Sequence, residues 1–184
     1  MLRNTPSSWG SAAKGFHWGM AALIVVQVPL GVAAAAWHVS PTRIELFFWH
    51  KSLGVLLLAL VVLRLAWRTA NPTPALPGDL PAWERMAARS GHALLYALLV
   101  ALPLSGWVVN SAANVPFRAF RVLRLPAIVA PDEALATGFA RLHAVLAAAL
   151  VLVLVVHVVA ALRHHLVRKN DVLARMLPGR DRPR

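Results

Sequence analysis

The sequence predicts an all-α integral membrane protein folded as an antiparallel four-helix bundle. Three observations carry that prediction. Of 184 residues, 59% are apolar and only 14% are Asp, Glu, Lys or Arg, where an ordinary soluble domain has about 25% charged residues. The apolar residues gather into four long runs, each near the ~20 residues that a bilayer-crossing helix requires. Those runs are continuous rather than alternating, which selects helices over barrel strands among the structures that can span a bilayer.

Composition also excludes several chemistries. The chain has no cysteine, so disulfides, thiolate zinc sites, iron–sulfur clusters and c-type haem attachment are ruled out. Nineteen basic residues against seven acidic ones give a net charge of +12. Lys and Arg cluster at the ends of the apolar runs rather than on one face. The expected partner is therefore membrane lipid and not nucleic acid. The length suits one domain, residues 1–184.

The first run, Trp18 to Trp37, has 20 residues without a charge, and a span is expected at about 16–37. Arg3 and Lys14 precede it and small residues fill Ala33 to Ala36, as in a signal peptide. The run is longer than a typical signal core and three more follow, so an uncleaved helix is the simpler reading. The second run, Phe47 to Leu63, is interrupted only by His50 and Lys51, with a span at about 46–67. The third, Gly91 to Val109, and the fourth, Leu142 to Leu162, carry no charge, with spans at about 90–111 and 140–163. Pro29 and Pro103 fall within the first and third, where membrane helices tolerate and are kinked by proline.

Between the second and third runs, Asn71-Pro72-Thr73-Pro74-Ala75-Leu76-Pro77-Gly78 reads as a stiff linker. The longest connection, Asn110 to Ala140, is expected to hold a short helix near Phe117 to Leu123. The tail beyond Arg163 is expected at the membrane surface, with a short interfacial helix through Asp171 to Met176. Thirteen of the 19 basic residues flank one side: Arg3, Lys14, Arg64, Arg68, Arg85, Arg89, Arg163, Arg168, Lys169, Arg175, Arg180, Arg182 and Arg184. Arg43, Lys51, Arg118, Arg121, Arg124 and Arg141 flank the other. The positive-inside bias then puts both termini in the cytoplasm.

Histidine carries the chemistry. His17, His50, His92 and His143 stand near the starts of the four runs, and His157 lies deep in the last. An ionisable residue in a span is costly and faces the bundle interior. A lone one is often a packing residue; here the joint placement matters. His143 and His157 are 14 residues apart, four turns less about 40° and a rise of roughly 21 Å. Both therefore project from one face, near opposite membrane surfaces. His157 shares its level with His17, and His143 with His50. Two stacked bis-histidine haems fit these pairs better than two metal ions, since imidazole is a common axial ligand of haem iron. No carboxylate lies in the spans, which disfavours a hard-cation or carboxylate di-iron site. Gly31 and Gly54 lie where they could give a macrocycle room, or simply let helices pack closely. Arg64, 14 residues after His50, is placed to pair with a propionate of the His17-level haem or to snorkel to the surface.

These residues resemble the bacterial cytochrome b561 family, relatives of the cytochrome b subunits of nickel-iron hydrogenases. The resemblance rests on Gly15-Phe16-His17-Trp18, Phe48-Trp49-His50-Lys51-Ser52-Leu53-Gly54 and Gly91-His92-Ala93-Leu94-Leu95-Tyr96. It continues through Ala101-Leu102-Pro103-Leu104-Ser105-Gly106-Trp107 and Leu142-His143-Ala144. It ends with His157, Ala161-Leu162-Arg163-His164-His165 and Met176-Leu177-Pro178. It covers nearly the whole chain. It implies haem b as the cofactor, with His17 and His157 ligating a cytoplasmic-side haem and His50 and His143 a periplasmic-side one. His92 matches a family histidine that is not normally an axial ligand, and is expected to touch a propionate or cap its helix.

Bis-histidine iron has no open position, which favours outer-sphere electron transfer across the bacterial inner membrane. The resemblance implies quinone as an electron partner. His164, seven residues after His157, lies beyond that haem on nearly the same face and could hydrogen-bond a quinone. At the other end, Arg118, Arg121 and Arg124 with Lys51 form a basic patch suited to a small anion, to lipid headgroups or to an acidic partner. Two functions follow. One is a quinone-linked oxidoreductase that oxidises periplasmic superoxide with ubiquinone as acceptor. The other is an electron-transfer subunit serving a periplasmic oxidoreductase or a small cytochrome. A histidine-lined metal transporter fits less well without an acidic residue in the spans. Assembly as a homodimer is compatible with either function.

Overall fold

Each apolar run lies inside a longer helix. The computed structural model describes residues 1–75 and 80–177. Helix α1 covers Ser11–Ala36, α2 Pro41–Thr69, α3 Ala82–Ala112 and α4 Glu133–Leu166. Even α1, with 26 residues, is roughly 39 Å long at about 1.5 Å per residue, beyond the ~30 Å of a bilayer core. All four are long and apolar enough to cross a membrane. Helices α1 and α3 run unbroken through Pro29 and Pro103.

Local chemistry sets the helix ends. Ser40 caps α2, its hydroxyl accepting from the Arg43 amide, with Pro41 at the first helical position. Asp132 caps α4 by accepting from the Leu135 amide at 2.8 Å. The Asp132 amide also donates to the Ala112 carbonyl at 2.9 Å, joining the start of α4 to the end of α3. At the far end of the same helix pair, buried Glu84 in the first turn of α3 accepts from Arg163 at 3.2 Å and Arg168 at 2.6 Å. These two arginines, expected at the lipid surface, are held by a carboxylate. Acid at a helix start and base at a helix end also complement both dipoles.

Helix α1 packs chiefly on α2 and α3 chiefly on α4, with α2 joining the two hairpins. The buried core comprises Met20, Ile24, Leu57, Val61, Leu95, Leu98, Leu99 and Leu150. Among the described residues of α4, only Leu150 is buried. The valines at 151, 155, 156, 158 and 159 are exposed, as suits a helix bathed in lipid.

The long connection differs from expectation. Residues Phe117–Ala119 (β1) and Leu123–Leu125 (β2) form an antiparallel hairpin, with Arg118 opposite Arg124. The short helix expected near Phe117 to Leu123 is absent. That stretch is bounded by Pro116 and Pro126, too short to repay helix nucleation. It is anchored instead by tertiary contacts: Ala119 is buried, and the Phe120 amide donates to the buried Ser52 hydroxyl at 3.1 Å. Phe120 and Arg121 adopt φ of 52° and 62° to close the turn. The tail is likewise shorter than expected, a single 3₁₀ turn at Ala174–Met176. Asp171 holds it by accepting from Arg175 Nε at 2.8 Å. Leu76, Pro77 and Gly78 of the linker, and Pro178, Arg180, Arg182 and Arg184, lie outside the described residues.

Candidate functional site

The bundle brings the expected histidines together in two groups. His17 on α1 and His157 on α4 face each other with ring centroids 6.3 Å apart. His50 on α2 and His143 on α4 do the same at 6.0 Å. The four rings are half-buried. Metal–imidazole bonds of about 2 Å on each side separate two ring centroids by roughly 6 Å, so both pairs have the spacing of imidazoles that share one metal. Among the described residues no three His, Asp or Glu side chains cluster to hold a bare ion. Facing imidazoles at this spacing suit a metal whose remaining donors come from a macrocycle.

Two further observations agree with a macrocycle. The buried Nδ1 of His50 has no hydrogen-bond partner. A Cβ on Gly31 would stand 2.6 Å from His50 Cε1, and one on Gly106 would stand 3.3 Å from His143 Cε1. Both rings are therefore seated against backbone. Gly54 has a different duty, since a Cβ there would meet Gln27 Nε2 at 3.3 Å. It gives room to a side chain, the close-packing alternative.

At the His17 end, Arg64 Nε donates to the Tyr96 hydroxyl at 3.0 Å. Its two terminal nitrogens stand 3.4 Å from His17 Nδ1. Arg68 lies over the same tyrosine ring, 5.7 Å from its centroid. Neither guanidinium has a carboxylate partner among the described residues. This is a cationic recess without a counter-ion, as Arg64 opposite a propionate requires. His92 lies 5.5 Å from His157 by ring centroids. It cannot cap α3, because the polar turns from Ala82 onward extend the helix ten residues ahead of it. His164 receives a hydrogen bond on Nδ1 from Asn170 at 3.0 Å, and the Asn170 amide donates to its carbonyl at 3.1 Å. It closes the end of α4. Trp18, next to His17, donates to the Met176 carbonyl at 2.8 Å and ties the tail to this end.

At the His50 end the basic patch is smaller than the sequence suggests. Lys51 Nζ donates to Asn110 Oδ1 at 2.7 Å and is committed there. Arg121 pairs with Glu45 at 2.9 Å and stacks on Phe48. Arg118 and Arg124 remain, exposed and opposite each other across the hairpin, without an acidic partner among the described residues. Like charges directly opposed disfavour a strand pair.

Residues not expected from the sequence complete the site. Ser105 Oγ lies 2.9 Å from His143 Nδ1, Tyr96 orients Arg64, and Gln27 Nε2 donates to the His50 carbonyl at 2.7 Å. Gln27 is the sole amide side chain in the first run, a signal that could have singled it out. Tyr96, the only tyrosine in the chain, carries a comparable mark; Ser105 does not.

Residues 8–179 match the family model described as prokaryotic cytochrome b561. Cytochrome b561 homolog 2 of Escherichia coli K12 is 38% identical, over 95% of this chain and 93% of that protein. Cytochrome b561 homolog 1 of the same strain is 28% identical over 71% of this chain and 74% of its own length. A protein of Yersinia pestis named probable superoxide oxidase CybB is 29% identical over 89% of this chain and 92% of its own length.

Proposed function

We propose that this chain, which belongs to the prokaryotic cytochrome b561 family, is a single dihaem domain that carries electrons across the bacterial inner membrane. Membership makes it a multi-pass membrane electron-transfer protein with b-type haem. Two haems, quinone and the donor are our reading. His17 and His157 would hold one haem, and His50 and His143 the other. The observation that carries this is the pair of facing imidazoles at each end, 6.3 and 6.0 Å apart. Haem held by these histidines would supply a one-electron iron centre for outer-sphere transfer.

The protein does the rest. Arg64, oriented by Tyr96, would bind a propionate at the His17 end. His164, with Nδ1 engaged by Asn170, would present Nε2 to a quinone and exchange a proton with it. The basic bias in the flanks puts the termini and this end in the cytoplasm. Arg118 and Arg124 would then face the periplasm and raise the encounter rate of a small anion. Superoxide is the donor to test first, with ubiquinone as acceptor, and the name of the Yersinia relative supports that choice.

A second reading has its own observation. Trp49, Phe120 and Val122 are exposed beside the arginines, a mixed apolar and basic surface that suits docking of a periplasmic redox protein. Co-purification of such a partner would favour an electron-transfer subunit.

The test is a reduced-minus-oxidised optical spectrum of detergent-purified protein, with pyridine haemochrome quantitation against protein mass. Two low-spin b haems per chain are expected, and each single His→Ala change at the four ligands should remove one. A folded protein without haem, made with adequate haem supply, would refute the proposal.

A further inference from the structure

Ser105 projects from α3 toward His143 on α4 and is 4% exposed. Its hydroxyl donates to the Leu102 carbonyl at 2.8 Å and stands 2.9 Å from His143 Nδ1. A hydroxyl has one proton. With that proton directed to Leu102, Oγ accepts, and the same Leu102 carbonyl also lies within reach of the His143 ring. His143 Nδ1 therefore carries its own proton, and Nε2 keeps its lone pair. The next residue, Gly106, leaves the ring its space, since a Cβ there would lie 3.3 Å from Cε1. Two consecutive residues thus seat one imidazole: the first binds it and the second makes room.

The opposing ring has no such partner. His50 Nδ1 is buried with no side-chain partner; its ring neighbours the Gln27 backbone, and Gln27 Nε2 donates to the His50 carbonyl. Within this pair, one histidine has a tautomer imposed by a side chain and the other does not.

We propose that Ser105 is a positioning residue for the centre at the His50 end. It locks His143 as the Nδ1–H tautomer with Nε2 free to ligate. By accepting the Nδ1 proton it also makes that imidazole a stronger donor, which favours ferric iron and lowers the potential of this centre. Partners of this kind fix ring orientation, raise ligand basicity and alter metal affinity by about 10- to 100-fold when removed. The proposal rests on the assignment of His143 as a haem ligand.

The experiment is a potentiometric titration of Ser105→Ala, Ser105→Thr and the unaltered protein, each with its haem content measured. His143→Ala is run beside them. Ser105→Ala should keep both haems and raise the potential of the component that His143→Ala eliminates. A tenfold loss of ferric preference corresponds to about 59 mV for one electron. The other component should not move, and Ser105→Thr, which keeps the hydroxyl, should restore the original value. Selective loss of that one haem in Ser105→Ala, restored by Thr, would equally support the role. Full haem content with unshifted or lowered potential would overturn it. If His143→Ala keeps its full haem complement, the ligand assignment itself falls, and this proposal with it.

Discussion

Replacing Gly31 by alanine tests the proposed ligation through a single methyl group. The new Cβ would stand 2.6 Å from Cε1 and 2.9 Å from Nδ1 of His50. Carbon atoms prefer about 3.5–4.0 Å, so something must yield by roughly 1 Å. The ring is what yields. The backbone of His50 is held by Gln27, whereas its Nδ1 has no hydrogen bond. A displacement near 1 Å exceeds the ~0.5 Å within which a site tolerates a shifted group. Haem affinity at the His50 end should fall on the order of 10- to 100-fold, and the His17 end should keep its haem. Alanine is the better helix former by about 0.5–1 kcal/mol, so a weakened α1 cannot account for such a loss. Gly19 is the control, since a Cβ there meets nothing within 4 Å. Gly106→Ala, at 3.3 Å from His143 Cε1, should give an intermediate effect. The assay is haem per protein by pyridine haemochrome, with haem titrated back into depleted protein. Wild-type binding by Gly31→Ala, or an equal loss in Gly19→Ala, would refute the reasoning.

Arg64→Leu removes a cation beside His17 and should lower the potential of the His17-end haem by on the order of tens of mV, read by redox titration. An unchanged titration would remove Arg64 from that site. Charge reversal at Arg118 and Arg124 together should slow reduction by superoxide and flatten its dependence on ionic strength. Stopped-flow traces identical to wild type at low salt would exclude steering. His164→Leu should keep both haems and slow their reoxidation by added quinone; unaltered quinone kinetics would end its candidacy. His92→Ala should also keep both haems, although its ring is nearer His157 than His17 is. Loss of the His17-end haem in that variant would make His92 a ligand.

The four helices were legible because a span is a statement about composition: twenty uncharged apolar residues leave the chain few other structures. The histidine pairs were legible because helical rise converts sequence spacing into depth, so 14 residues between His143 and His157 already separated two levels. What stayed hidden depends on contact between segments far apart in sequence. The hairpin at 117–125 is set by Ser52, 68 residues from Phe120 in sequence, and by the surface of α2. Arg163 and Arg168 looked like lipid anchors until Glu84 was brought to them from 79 and 84 residues away. The placement of Gly31 against His50, and of Gly54 against Gln27, is likewise decided by helix packing and not by either residue's neighbours in sequence.

On the proposed ligation, the two ends of the bundle treat their imidazoles in opposite ways, and the difference has a direction. At the His50 end, an accepting hydroxyl faces His143 Nδ1. It draws the ring toward imidazolate character, which stabilises oxidised iron. At the His17 end, the cationic Arg64 guanidinium lies 3.4 Å from His17 Nδ1. Paired with a propionate, this cation would still favour reduced iron relative to an uncharged side chain. Accepting at one end lowers a potential and positive charge at the other raises one. On that ligation an electron entering beside His50 would move downhill toward His17, and the partners of the two histidines, rather than the histidines themselves, would set that direction.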